Sequence, residues 1–126
     1  MRISVGIDLV RVEDVRASIV TFGDRFITRV FMPSEVAYAR STADKHQALA
    51  ARFAAKEATF KALGLEDEPR DFRAIEVIRE SNGAPRLILF GSIKALADAR
   101  KVTELVTSLT HTSDYASAVV IAYGEG

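Results

Sequence analysis

An α+β fold, with a largely antiparallel sheet packed against one long helix, is predicted by three observations. The chain opens with Ile3, Val5, Ile7 and Leu9 alternating with Ser4, Gly6 and Asp8, the period-2 pattern of a strand with one buried face. An alanine-rich segment from about Lys45 to Leu63 reads as a helix, and Gly64 is a natural C-terminal stop. Two apolar runs meet across Ser81-Asn82-Gly83, a hairpin signal that joins antiparallel strands.

The remaining elements follow in order. Val12, Val15, Ile19 and Phe22 recur at helical spacing until Gly23. Pro33 to about Ser41 is a short helix with proline in its first turn. Leu65 to Asp71 is acidic, contains Pro69 and reads as a loop. Ala74–Arg79 and Arg86–Phe90 are the hairpin strands, and Ser92–Ala99 is a short helix. Thr103–Thr110 and Ala116–Tyr123 form a last strand pair, separated by His111-Thr112-Ser113-Asp114. The order βααα–ββ–α–ββ belongs to the α+β class. With 126 residues and no repeat or linker, one domain spanning residues 1–126 is expected.

Composition narrows the function. Seventeen basic residues balance seventeen acidic ones, so no overall field attracts nucleic acid. The absence of cysteine excludes disulfide scaffolds, thiolate metal sites and cysteine nucleophiles. The first residues read as a strand and not as a signal peptide, and no apolar run approaches membrane-spanning length. A cytoplasmic protein is expected.

The long helix carries the chemistry. With Phe53 as origin, Leu49, Phe60 and Leu63 fall within about 80° of it; Lys56 lies inside that arc, and Glu57 and Lys61 lie at its edge. Charges against a core face are costly unless paired. A metal ion or a phosphorylated ligand would pair them. Arg52 and Lys56, four apart, add a second basic pair, leaving an excess of positive charge that a polyphosphate would balance. The plainer alternative is a surface salt bridge between Glu57 and Lys61. Asp8 shares a strand face with Gly6, which leaves space beside a carboxylate; alternatively Asp8 caps the helix near Val12. His111 is a phosphate or base donor, or an incidental loop histidine. Gly83-Ala84-Pro85 is first of all turn chemistry. Arg11, Arg16, Arg25 and Arg29, opposed by Glu13, Asp14 and Asp24, make either a face for an acidic partner or a solvated surface.

Together these segments resemble the small single-domain phosphopantetheinyl transferases of the holo-acyl-carrier-protein synthase family. Val5-Gly6-Ile7-Asp8 is similar to that family's first motif, and Phe31-Met32-Pro33-Ser34-Glu35 with Tyr38 to its second. Arg52-Phe53-Ala54-Ala55-Lys56-Glu57-Ala58, followed by Lys61-Ala62-Leu63-Gly64, resembles the most specific one. Gly83-Ala84-Pro85 and Ser108-Leu109-Thr110-His111 resemble two later motifs. The five occur in family order over nearly the whole chain.

The resemblance implies the 4′-phosphopantetheinyl transferase fold and a homotrimer whose active sites lie between neighbouring subunits. It implies transfer of 4′-phosphopantetheine from coenzyme A to a serine of apo acyl carrier protein, with release of adenosine 3′,5′-bisphosphate. On it, Asp8 and Glu57 hold Mg²⁺ with the coenzyme A diphosphate. Glu57, directly or through a metal-bound water, is the base for the serine proton, and Lys61 sits on the phosphates. Arg52 and His111 hold the nucleotide end and its 3′-phosphate, Gly83 and Pro85 pack along the cofactor, and Lys56 and Thr112 join the cofactor-binding set. Acyl carrier proteins are typically acidic, so Arg11 and Arg16 are where docking is expected. A free fatty-acid-synthesis carrier and a carrier domain of a large synthase both fit.

One departure stands out. Where family members often have a Gly-Thr-Gly loop, this chain has Gly64-Leu65-Glu66-Asp67-Glu68-Pro69, whose acids would repel phosphate if folded over the site. A catalytically inactive coenzyme A or nucleotide-binding module of the same fold is the alternative reading, and retention of both carboxylates speaks against it. A small RNA-binding domain is disfavoured by zero net charge.

Overall fold

The computed structural model describes residues 1–126. Strand β1 (Arg2–Arg11) leads into helices α1 (Val12–Phe22), α2 (Asp24–Val30), α3 (Pro33–Arg40) and the long α4 (Lys45–Ala62). A 3₁₀ turn (Phe72–Ala74) precedes the hairpin β2 (Ile75–Arg79) and β3 (Pro85–Leu89), then helix α5 (Gly91–Ala99) and strands β4 (Val102–His111) and β5 (Tyr115–Gly124). The α+β class holds, with every strand pairing antiparallel. The strands form two sheets, one ordered β1-β5-β4 and one made by the β2–β3 hairpin alone. Helix α2 is a separate element that the periodicity does not reveal. Gly23, at φ +58°, ends α1 and opens seven residues too short to show a pattern, so Arg25 and Arg29 lie on α2 and not on the first helix. No helix is long and apolar enough to cross a membrane.

The covered face of β1 is opposite to the one its apolar residues predict. Ile3, Val5, Ile7 and Leu9 are 60%, 62%, 64% and 66% exposed, whereas Gly6 is buried and Asp8 half-buried. The reason lies in α4, which packs across β1 and β5 on the Ser4–Gly6–Asp8 side. Ser4 donates to the Ala62 carbonyl at 2.6 Å. A Cβ on Gly6 would lie 2.0 Å from the Ala58 oxygen and 2.6 Å from the Ala62 nitrogen. The space beside Asp8 that glycine suggests is therefore filled by helix backbone and not by a ligand. In register with Gly6 and Asp8, Val120 and Ala118 of β5 present small buried surfaces to the same helix.

Helix α4 is covered nearly all round. Its small residues Ala54, Ala55, Ala58 and Ala62 pack with Val120 and Ile75, while Ala48, Leu49, Ala50 and Ala51 pack with Val12, Val15 and Phe31. A helix covered on most sides has no single apolar stripe, and past its first turn only the Phe53–Glu57–Lys61 edge stays open, which explains why charges fall inside its apolar arc. Asp44 caps its start by accepting from the amides of His46 and Gln47 at 2.9 and 3.1 Å. At its end the Leu65 amide bonds the Phe60 carbonyl and the Gly64 amide the Lys61 carbonyl, a Schellman closure with Gly64 at φ +69°.

Candidate active site

Asp8, Glu57 and Lys61 come together where β1 crosses α4. The crossing is tight because Gly6 has no side chain and the α4 alanines have nothing larger than a methyl group, so the strand meets the helix backbone directly. Lys61 Nζ donates to Asp8 Oδ1 at 3.1 Å and to the Ile7 carbonyl at 2.9 Å. Two of the plainer alternatives therefore fail. Lys61 bonds the strand and not Glu57, its neighbour four residues back. Asp8 does not cap α1, whose N-terminus has no side-chain cap. Glu57 instead has the guanidinium of Arg70, with Nε 3.8 Å from Oε1.

Asp8 and Glu57 line one cleft of about 450 Å³, with Phe26, Phe53, Arg11 and Asp14 also on its wall. Burial is the main force raising the Glu57 pKa above its ordinary 4.5; Arg70 opposes it, the Asp8 charge adds to it, and Lys61 opposes it. No group of three or more His, Cys, Asp or Glu gathers as a metal-binding set. Two carboxylates are nevertheless a donor set suited to Mg²⁺, which takes one or two carboxylates and completes its shell with water and substrate phosphates. A cation between two acids that repel each other would relieve that repulsion.

Lys56 is elsewhere. Its side chain is fully buried and its ammonium donates to Glu35 Oε1 and the Val30 carbonyl, both at 2.7 Å, and to the Phe72 carbonyl at 3.1 Å. Glu35 completes the hub by accepting from the amides of Met32 and Val77, each at 2.8 Å. Burial lowers the Lys56 pKa from its ordinary 10.5, and Glu35 pushes back. With all three protons engaged, Lys56 has none for a phosphate. Its assignment to the cofactor is corrected: it ties α4 to α2, α3 and β2. The excess of positive charge expected from Arg52 and Lys56 does not gather beside Glu57 either, since Lys56 faces Glu35 and Arg52 faces Tyr38.

Arg52 and His111 share a second cleft of about 300 Å³ on another side of α4, with Tyr38, Gln47 and Arg79. The Arg52 guanidinium stacks 4.0 Å over the Tyr38 ring, and Arg79 donates to the Tyr38 hydroxyl at 2.7 Å. Arg52 is almost fully buried, which lowers its pKa, and its Nε has no hydrogen-bond partner. His111 is the last residue of β4 and not a loop residue, and its Nδ1 lies 3.0 Å from Gln47 Oε1. Thr112 turns inward to its own hairpin, accepting from the amides of Asp114 and Tyr115 at 3.2 and 3.1 Å. Gly83, at φ +87°, sits in the β2–β3 turn, where a Cβ would lie 3.3 Å from Arg79 Nη2. Pro85 starts β3 and faces a different groove, between the hairpin, α5 and β4.

One copy of the chain thus brings Asp8, Glu57 and Lys61 together and separates them from Arg52 and His111. Of the basic docking candidates, Arg16 is paired with Glu13 through Nε at 2.9 Å. The sequence reading missed Arg70, Arg79 and Gln47 as neighbours of these clefts. Arg70 and Arg79 arrive from a distant loop and strand, and Gln47, on α4 itself, is marked only by His111 reaching it from β4.

The sequence pattern of the 4′-phosphopantetheinyl transferase superfamily matches residues 4–120. A holo-[acyl-carrier-protein] synthase of Chloroflexus aurantiacus is 41% identical over 131 residues, covering 94% of this chain and 96% of that protein. The Helicobacter pylori holo-[acyl-carrier-protein] synthase in complex with coenzyme A superposes with a TM-score of 0.82 at 29% identity, over 94% of this chain and 99% of that one. A synthase–coenzyme A complex from Chronobacterium ammoniagenes superposes with a TM-score of 0.86, at 29% identity and complete coverage of both chains.

Proposed function

We infer the reaction from one premise: this chain belongs to the holo-[acyl-carrier-protein] synthase family of the 4′-phosphopantetheinyl transferase superfamily. It is an enzyme of phosphopantetheinyl transfer. The finer reading is Mg²⁺-dependent transfer from coenzyme A to a serine of apo acyl carrier protein, with release of adenosine 3′,5′-bisphosphate. The observation that carries it is the convergence of Asp8, Glu57 and Lys61 at the β1–α4 crossing.

Asp8 and Glu57 would hold Mg²⁺, which supplies charge neutralisation at the diphosphate. Glu57 takes the serine proton as the hydroxyl oxygen bonds the phosphorus that bears pantetheine. The bond from that phosphorus to the bridging oxygen breaks, and the electron pair leaves on adenosine 3′,5′-bisphosphate. Lys61 moves from Asp8 to the phosphate oxygens, where negative charge grows. Such chemistry is mostly positioning and charge stabilisation, which suits a site with no thiol nucleophile.

Arg52 and His111 take the nucleotide end, on a second copy of the chain. Two observations support a shared site in a homotrimer: the two clefts open on different sides of α4, and β1 presents a row of four exposed apolar side chains. Exposed apolar patches of this kind mark interaction surfaces.

The test is to incubate the protein with coenzyme A, Mg²⁺ and apo carrier protein and to weigh the carrier. A gain of one phosphopantetheine per carrier is expected, abolished by chelation. An unchanged mass would defeat the reading.

A further inference from the structure

The 65–71 loop, whose acids should repel phosphate, also returns an arginine to the site. Leu65 is fully buried, Glu66, Asp67 and Glu68 are exposed, and none of the three enters an ion pair. Arg70 then folds back. Its Nη1 donates to the Leu65 carbonyl at 3.0 Å, its guanidinium carbon lies 4.8 Å over the Phe60 ring, and its Nε stands 3.8 Å from Glu57 Oε1. Phe60 and Leu65 are both wholly buried, so the guanidinium is anchored independently of the carboxylate it faces. At 3.8 Å the contact with Glu57 is one of charge and not a hydrogen bond. Most of the five guanidinium protons are free for another acceptor.

Each carboxylate of the site thus has its own cation, Lys61 for Asp8 and Arg70 for Glu57. Two negative charges meet two positive ones, and the site is neutral. A divalent cation alone would bring two positive charges and strand both side-chain cations. A diphosphate diester alone would bring two negative charges and meet both carboxylates. Together they restore neutrality by exchange: the metal takes the carboxylates, and the released cations take the phosphate oxygens.

We propose that Arg70 is a second diphosphate-binding cation of the site, trading Glu57 for the coenzyme A diphosphate when a divalent metal takes that carboxylate. The exchange makes metal and coenzyme A binding mutually dependent. This rests on the function proposed above. It also gives the departing loop a role: the arginine at its far end serves the phosphates while its acids stay in solvent.

The test uses Mn²⁺ as a spectroscopic probe, titrated by electron paramagnetic resonance into the coenzyme A-free protein, and coenzyme A titrated calorimetrically in the presence of Mg²⁺. In Arg70→Gln, Mn²⁺ should bind about 2- to 5-fold more tightly, because a competing counter-ion is gone. Coenzyme A should bind about tenfold more weakly, as for a lost hydrogen bond to a charged group. Arg70→Lys, which keeps the charge, should leave Mn²⁺ affinity near that of the parent protein. A purely structural arginine would weaken both ligands together, and that result overturns the proposal. So does unchanged or weaker Mn²⁺ binding in folded Arg70→Gln, or in Arg70→Ala should the glutamine variant fail to fold. If the parent protein bound neither Mn²⁺ nor coenzyme A, the functional reading itself would fall, and this proposal with it.

Discussion

Lys61, near the end of α4, reaches Asp8 on the opening strand at 3.1 Å, across 53 residues of sequence. The pair is partly exposed, with side-chain exposures of 42% and 16%, so it contributes little to stability. Its value is positional. It keeps a cation at the site, bonded loosely enough to move to an incoming phosphate.

Lys61→Ala should therefore lower turnover more than affinity. A fall in kcat of about 10²–10³ is expected, as for loss of one stabilising donor, against a weakening of coenzyme A binding of about tenfold at most, as for loss of one phosphate-binding cation. Steady-state kinetics alongside calorimetric titration separates the two. An effect confined to affinity would contradict the role given to this lysine.

Asp8→Asn and Glu57→Gln should each abolish measurable transfer while leaving the circular dichroism spectrum intact. Neither side chain belongs to the apolar clusters about α4, so the fold does not depend on them. Turnover within a few-fold of the parent protein in either variant would remove the metal-holding role.

Glu57 sets a pH signature. Its pKa is raised by burial, so the native chain binds this proton more tightly than the unfolded chain, whose value is near 4.5. The group therefore weakens the fold as pH rises through its native pKa, and the loss is recovered on acidification toward 4.5. Glu57→Gln should be more stable than the parent protein at pH 7, and the gap should close as pH falls. Urea midpoints measured across that range check this.

The buried pair of Lys56 and Glu35 should matter to folding and not to coenzyme A affinity. Lys56→Met strands a buried carboxylate and should cost about 3–5 kcal/mol. Denaturant unfolding with an unchanged slope would register this. A Lys56→Met protein of native stability with weakened coenzyme A binding would return the lysine to the cofactor site.

Val5→Asp or Ile7→Asp places a charge on the exposed face of β1, where neither side chain packs within its own chain. Each variant should stay folded, sediment as a monomer and lose transfer. Sedimentation velocity beside an activity assay decides the matter. A fully active monomer would end the shared-site proposal.

The candidate residues of the site were legible in the chain order because their pattern is local: an acid two residues past a glycine on the opening strand, and a glutamate and lysine one turn apart at the end of a helix. The hairpin, the stop at Gly64 and the α+β class were legible for the same reason, since turns and caps are decided by neighbours. Periodicity could divide β1 into two faces, but both can be covered, and only the docking of α4 decided that Gly6 and Asp8 lie inside. It likewise could not tell Lys56 from Lys61. One precedes Glu57 directly and the other follows it by one helical turn, yet one is closed in by Glu35 and the other opens onto Asp8. The difference is made by side chains 21 and 53 residues away, and contacts at that range exist only once the chain has packed.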